Sequence, residues 1–124
     1  ELRSFYDEGN NFSLVFSGLP PLKNQLNLGV NQPLKQRIFV FLDCQALSLS
    51  ETKEYIVNQL TLAGSKVPVF DEQCFPFIHS VTSGVPRRIN QLCYGGLITA
   101  LKNKQSIVSD GLLKNIHENL NYQV

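Results

Sequence analysis

The pattern of apolar and polar positions changes texture once along the chain. Two short continuous apolar runs fall early, Ser13-Leu14-Val15-Phe16-Ser17 and Ile38-Phe39-Val40-Phe41-Leu42. Neither alternates in and out as a half-exposed strand does. The pattern fits strands covered on both faces, as in a parallel α/β sheet. Between the runs, Pro20-Pro21 ends the first, and Leu22, Gln25 and Leu26 fit a short helix stopped at Gly29. Strand, helix and strand in that order predict a parallel sheet. Two strands with open hydrogen-bonding edges are unstable alone, so the runs are expected to pair directly, to be covered by another copy or to disorder. Before them, residues 1–6 fit the tail of an earlier helix.

From residue 48 onward the period is helical. Ser48-Leu49-Ser50-Glu51 matches a capping box, in which a hydroxyl and a carboxylate satisfy free N–H groups at a helix start. Tyr55, Ile56, Leu60 and Ala63 then share a face, and Gly64 stands where a left-handed residue ends the helix. Asp71 suits the cap of a second helix bearing Phe75, Ile78 and Val81 and stopping near Ser83-Gly84. Pro76 inside it deletes a backbone bond and predicts a distorted first turn or a later start. Pro86 suits the first position of a third helix, where Ile89, Leu92, Cys93, Gly96, Leu97 and Ala100 recur at three- and four-residue steps. Gly95-Gly96 costs ~1 kcal/mol per residue relative to Ala, so close packing is expected there. Ser109 caps a fourth helix, with Val108 and Leu113 as a hydrophobic staple, followed by Ile116 and Leu120. Four short helices with brief connections predict a small bundle.

Composition narrows the function classes. The 124 residues, 43% hydrophobic and 17% charged, are one domain's worth of globular sequence. Eleven Lys and Arg against ten Asp and Glu leave a net charge of +1, too little to mark a general polyanion binder. The first residue is Glu and no basic-plus-apolar leader follows, so the sequence reads as a piece of something longer. Cys44, Cys74 and Cys93 are odd in number and widely spaced, which predicts small buried hydrophobes in a reducing, cytoplasmic compartment. His79 and His117 lack partners at ligand spacing, so no metal site is expected. Neither phosphate-binding glycine motif is present, nor a metalloprotease or nucleophile-elbow motif. Alone, the chain offers no complete active site.

A few arginines stand in telling places. Arg37, in Leu34-Lys35-Gln36-Arg37-Ile38, closes a short helix just before the second apolar run. Arg87 and Arg88, in Gly84-Val85-Pro86-Arg87-Arg88-Ile89-Asn90, fall in the first turn of the third helix. Cations there oppose the helix dipole by about 0.3–1 kcal/mol. A basic first turn therefore suggests an anion arriving from outside; the plainer alternative is surface arginines paired with Asp or Glu.

Residues 13–120 resemble the C-terminal half of AAA+ ATPases of the ExeA type, with the transposition-helper ATPases nearby. Four segments carry the resemblance: Leu14 to Leu22, Leu34 to Ile38, Leu47 to Thr52 with Tyr55-Ile56, and Gly84 to Cys93. The last is the most specific. The resemblance implies an α/β fragment followed by an all-α part. Residues 1–47 would be a remnant of a parallel P-loop NTPase sheet, and 48–124 a four-helix AAA+ lid. It places Walker A and Walker B upstream of Glu1, so ATP and Mg²⁺ belong to the parent and this chain alone is inactive. It implies Ser17 as the sensor 1 position (the family commonly has a polar residue where this chain has Leu19), Arg37 as the arginine finger, and Arg87 as sensor 2 with Pro86 and Gly84 beside it. Implied partners are the missing P-loop half, other copies of the parent, and either a secretion-machinery protein or a transposase. Two readings compete with this nucleotide-sensing one. One is a helical DNA-binding module using Arg87, Arg88, Asn90 and Gln91 as a recognition-helix start. The other is a plain protein-interaction domain.

Overall fold

A computed structural model of the chain describes residues 13–121. The helix tail expected over residues 1–6 lies outside them. The chain divides into two units, Glu1–Asp43 and Cys44–Val124.

In the first unit the helices are short. Helix α1 spans Pro21–Leu26, a 3-10 helix spans Gly29–Asn31, and α2 spans Gln32–Lys35. Pro20 at φ −46° precedes Pro21 in the first helical position, where a missing N–H leaves no bond unmade. Leu26 is the buried residue of α1. Polar contacts tie this unit together: Lys23 Nζ to Asp43 Oδ2 at 2.6 Å, Lys35 Nζ to Asn27 Oδ1 at 2.6 Å, and Asn31 Nδ2 to the Gln25 carbonyl at 2.7 Å.

The expected parallel sheet is overturned. Residues 13–19 and 38–48 are irregular, and the described residues contain no strand or sheet, so the fold seen is all-α rather than an α/β remnant followed by a bundle. Val15, Phe39 and Leu42 are 88%, 89% and 84% exposed, and the two runs do not pair with each other. The physical reason is that an apolar run records hydrophobicity, whereas a strand needs a hydrogen-bonded neighbour. Neither run has one among the described residues.

The second unit carries α3 (Leu49–Leu62), α4 (Cys74–Thr82), α5 (Pro86–Lys102) and α6 (Asp110–Asn121). The capping box forms: Ser48 Oγ accepts the Glu51 amide at 3.3 Å, and Glu51 Oε2 accepts the Ser48 amide at 2.8 Å. The Ser48 backbone amide, and after it the Ser48 side chain, hold the Glu51 carboxyl below its ordinary pKa. At the other end of α3, Gly64 takes φ 93°. Helix α4 starts at Cys74 rather than near Asp71, whose carbonyl instead accepts the Cys74 amide at 2.9 Å. The later start puts Pro76 in the first turn, where amides have no intrahelical acceptor.

Ile56, Phe75, Ile78, Ile89, Leu92 and Leu113 fill one core. Helices α5 and α6 close against each other at a glycine. A Cβ on Gly96 would stand 2.8 Å from Leu113 Cδ2 and 3.2 Å from Val108 Cγ1. An isolated parallel bridge joins Phe70 to Val108, whose carbonyl also accepts from Cys74 Sγ at 3.2 Å. Cys74 and Cys93 are buried as expected of small hydrophobes, but Cys44 is exposed. Burial raises the Cys74 thiol to about 11 and the Cys93 thiol to about 12. Among the described residues no helix is long and apolar enough to cross a membrane.

Candidate functional site

The connection between α4 and α5 builds the site. Ser83 ends α4 at φ 54°, its amide donating to the His79 carbonyl at 2.9 Å. Gly84 follows at φ 68°, also left-handed, then Val85 is extended and Pro86 opens α5. Two consecutive left-handed residues reverse the chain within one turn, and glycine takes that conformation without a Cβ penalty.

The start of α5 differs chemically from that of α3. Helix α3 satisfies its first turn internally, through Ser48 and the acidic Glu51. Helix α5 has no side-chain cap and no acidic residue in its first turn. Arg87 and Arg88 are both exposed there. Neither has a hydrogen bond or ion pair among the described residues, so surface pairing with Asp or Glu does not occupy them. Unpaired amides, the positive end of the helix dipole and two guanidinium groups therefore share one turn. That arrangement can take an anion, with guanidinium forks suited to phosphate or carboxylate oxygens.

The turn beneath Arg87 is clamped from behind. The Leu47 amide donates to the Gly84 carbonyl at 2.9 Å, and His79 Nε2 lies 3.1 Å from the Leu47 carbonyl. A carbonyl only accepts, so Nε2 carries the proton in that bond. A Cβ on Gly84 would stand 1.9 Å from the Leu47 oxygen. One turn further along, the Tyr55 hydroxyl donates to Asn90 Oδ1 at 3.1 Å.

The residues singled out in the sequence separate into two groups. Gly84, Pro86 and Arg87 are consecutive parts of the α4–α5 turn, with Gly84 buried and Arg87 exposed. Ser17 and Arg37 belong to the Glu1–Asp43 unit. Ser17 is exposed in the irregular stretch 13–19. Arg37 is half-buried just past α2, its amide donating to the Leu34 carbonyl at 3.0 Å and its Nη1 to the Pro33 carbonyl at 3.4 Å. Sequence reasoning missed Leu47 and His79 as parts of the site. Their contact spans 32 positions and one half of it is backbone, so no local pattern marks it. Among the described residues no group of three His, Cys, Asp or Glu side chains gathers to hold a metal.

Comparison with known proteins places these features in context. No family model matches the chain, and no solved structure matches it. Over 94 residues it is 31% identical to General secretion pathway protein A of Aeromonas hydrophila, a stretch covering 76% of this chain. The stretch covers 17% of that protein, so the chain spans only a small part of the relative's length. Most of this chain is thus a distant relative of one region of a secretion pathway protein A.

Proposed function

We propose that this chain is the nucleotide-sensing part of a secretion-pathway ATPase of the AAA+ type, with Arg87 reading the terminal phosphate of bound ATP. The observation that carries the reading is the exposed arginine pair on the uncapped first turn of α5, set on a buried left-handed glycine. Similarity to General secretion pathway protein A supports the same reading. ATP and Mg²⁺ are held by the P-loop part of the parent, since this chain has no phosphate-cradling glycine loop. Bound there, Mg²⁺ would supply positive charge to the phosphates during transfer.

Within that scheme each arginine has its own task. Arg87, with Pro86 and Gly84 fixing its helix start, distinguishes ATP from ADP by the presence of the γ-phosphate. Arg37 acts as the finger that reaches the nucleotide of a neighbouring copy in a homo-oligomer, a contribution of ~10³–10⁵ in rate where such fingers operate. Ser17 is the polar group at the sensor 1 position. The parent works in the cytoplasm, and its output is ATP-dependent assembly on a secretion-machinery protein or a transposase.

The test is substitution in the full-length ATPase. Arg37→Ala lowers turnover by ~10³-fold or more, and Arg87→Ala uncouples oligomer assembly from ATP. Turnover and ATP-dependent assembly surviving both changes would sink the reading.

One observation favours a second reading. Arg87, Arg88, Asn90 and Gln91 are all exposed at the start of α5, the arrangement of a recognition helix. Asn90 Oδ1 already accepts from Tyr55, and the chain's net charge is only +1. A gel-shift titration of this chain with duplex DNA at low salt decides it: no shift removes the DNA-binding reading.

A further inference from the structure

Leu47 is held by both halves of its backbone. Its amide donates to the Gly84 carbonyl at 2.9 Å, and its carbonyl accepts from His79 Nε2 at 3.1 Å. The contact with Gly84 has no slack, since even a methyl group there would overlap the Leu47 oxygen at 1.9 Å. Leu47 leads directly into Ser48, the cap of α3, and Gly84 leads within three residues to Arg87 on α5. The starts of these two helices are therefore joined at a single residue, and Tyr55 and Asn90 tie the same two helices again further along. His79, reaching across from α4, is the side chain that completes the joint. A shift of Leu47 must displace the turn under Arg87 or break its bonds to Gly84 and His79.

We infer that His79 is a positioning residue for Arg87: by holding the Leu47 carbonyl against the α4–α5 turn, it fixes the place from which the guanidinium meets a nucleotide phosphate. The inference rests on the nucleotide-sensing reading above. His79 does not touch the nucleotide. It sets the geometry of the residue that does, and that geometry matters because charge-assisted hydrogen bonds to phosphate are directional.

The experiment measures the affinity of the full-length ATPase for fluorescent mant-ATP and mant-ADP. His79→Ala removes the donor and lowers the preference for ATP over ADP by about 10-fold, as Arg87→Ala does. His79→Gln, whose amide nitrogen can occupy the place of Nε2, restores the preference to within about 3-fold of the wild type. The double variant loses no more than Arg87→Ala alone, because both changes remove one function. Should His79→Ala not fold, His79→Asn, an amide one methylene shorter, carries the same comparison with His79→Gln. An unchanged preference in the shortened variant, with a loss in Arg87→Ala, overturns the positioning role and leaves nucleotide sensing standing. An unchanged preference in Arg87→Ala overturns both.

Discussion

At the residue scale, single atoms decide two positions. Gly84 combines φ 68° with a backbone approach to Leu47 that leaves no room for a Cβ. Gly84→Ala therefore adds strain and overlap together and lowers unfolding free energy by about 3 kcal/mol, read as a shift in the urea midpoint. Thr52 shows the opposite case. Its side chain is fully buried in α3 and its Oγ1 has no hydrogen-bond partner among the described residues. A desolvated hydroxyl without a partner costs about 1–3 kcal/mol, so Thr52→Val, which keeps the shape, raises the midpoint. A fall in stability on this substitution would mean that the hydroxyl does find a partner in solution.

At the element scale, the helices owe their limits to local chemistry. That is why so much of the second unit was legible. The Ser48–Glu51 box, Gly64, the Ser83-Gly84 stop and Pro86 are all short-range signals, and each marks a helix end in the structure. Pro76 was legible too, once the first turn of α4 is taken to begin at Cys74. The apolar runs 13–17 and 38–42 misled because pairing is a property of two segments, and one segment's composition cannot supply the other. The α5–α6 seam lies between these extremes. Gly95-Gly96 announced close packing, but its partners on the far helix emerged only in three dimensions. Gly96→Ala gains ~1 kcal/mol of helix propensity but drives a methyl to 2.8 Å from Leu113 Cδ2. Overpacking of this kind costs about 1–3 kcal/mol, so a net loss is expected in thermal unfolding.

At the scale of the whole molecule, the core and the site respond to different variables. Cys74 and Cys93 keep their protons to about 11 and about 12, above the ordinary 9.0, because burial disfavours the thiolate. The sign follows. Below pH 9 both states are protonated and stability is complete; above it the unfolded chain releases protons that the folded chain retains, and stability declines towards pH 12. Urea midpoints at pH 8 and pH 10.5 register this decline, and a Cys74→Ala/Cys93→Ala variant shows a shallower one.

The candidate site was legible in part for the same physical reasons. Arg87 and Arg88 stood out because cations at a helix start oppose the dipole, and the structure leaves both exposed on an uncapped turn. The Leu47–His79 clamp behind them was invisible, being a tertiary contact made largely of backbone. The central claim is that the start of α5 reads the terminal phosphate of a nucleotide held elsewhere in the parent protein. Isothermal titration of the full-length parent protein with ATP and with ADP, in the wild type and in Arg87→Ala, tests it most directly. The account predicts that the variant binds ADP as before and loses about 10-fold in ATP affinity. Equal affinities for ATP in the two proteins would contradict it.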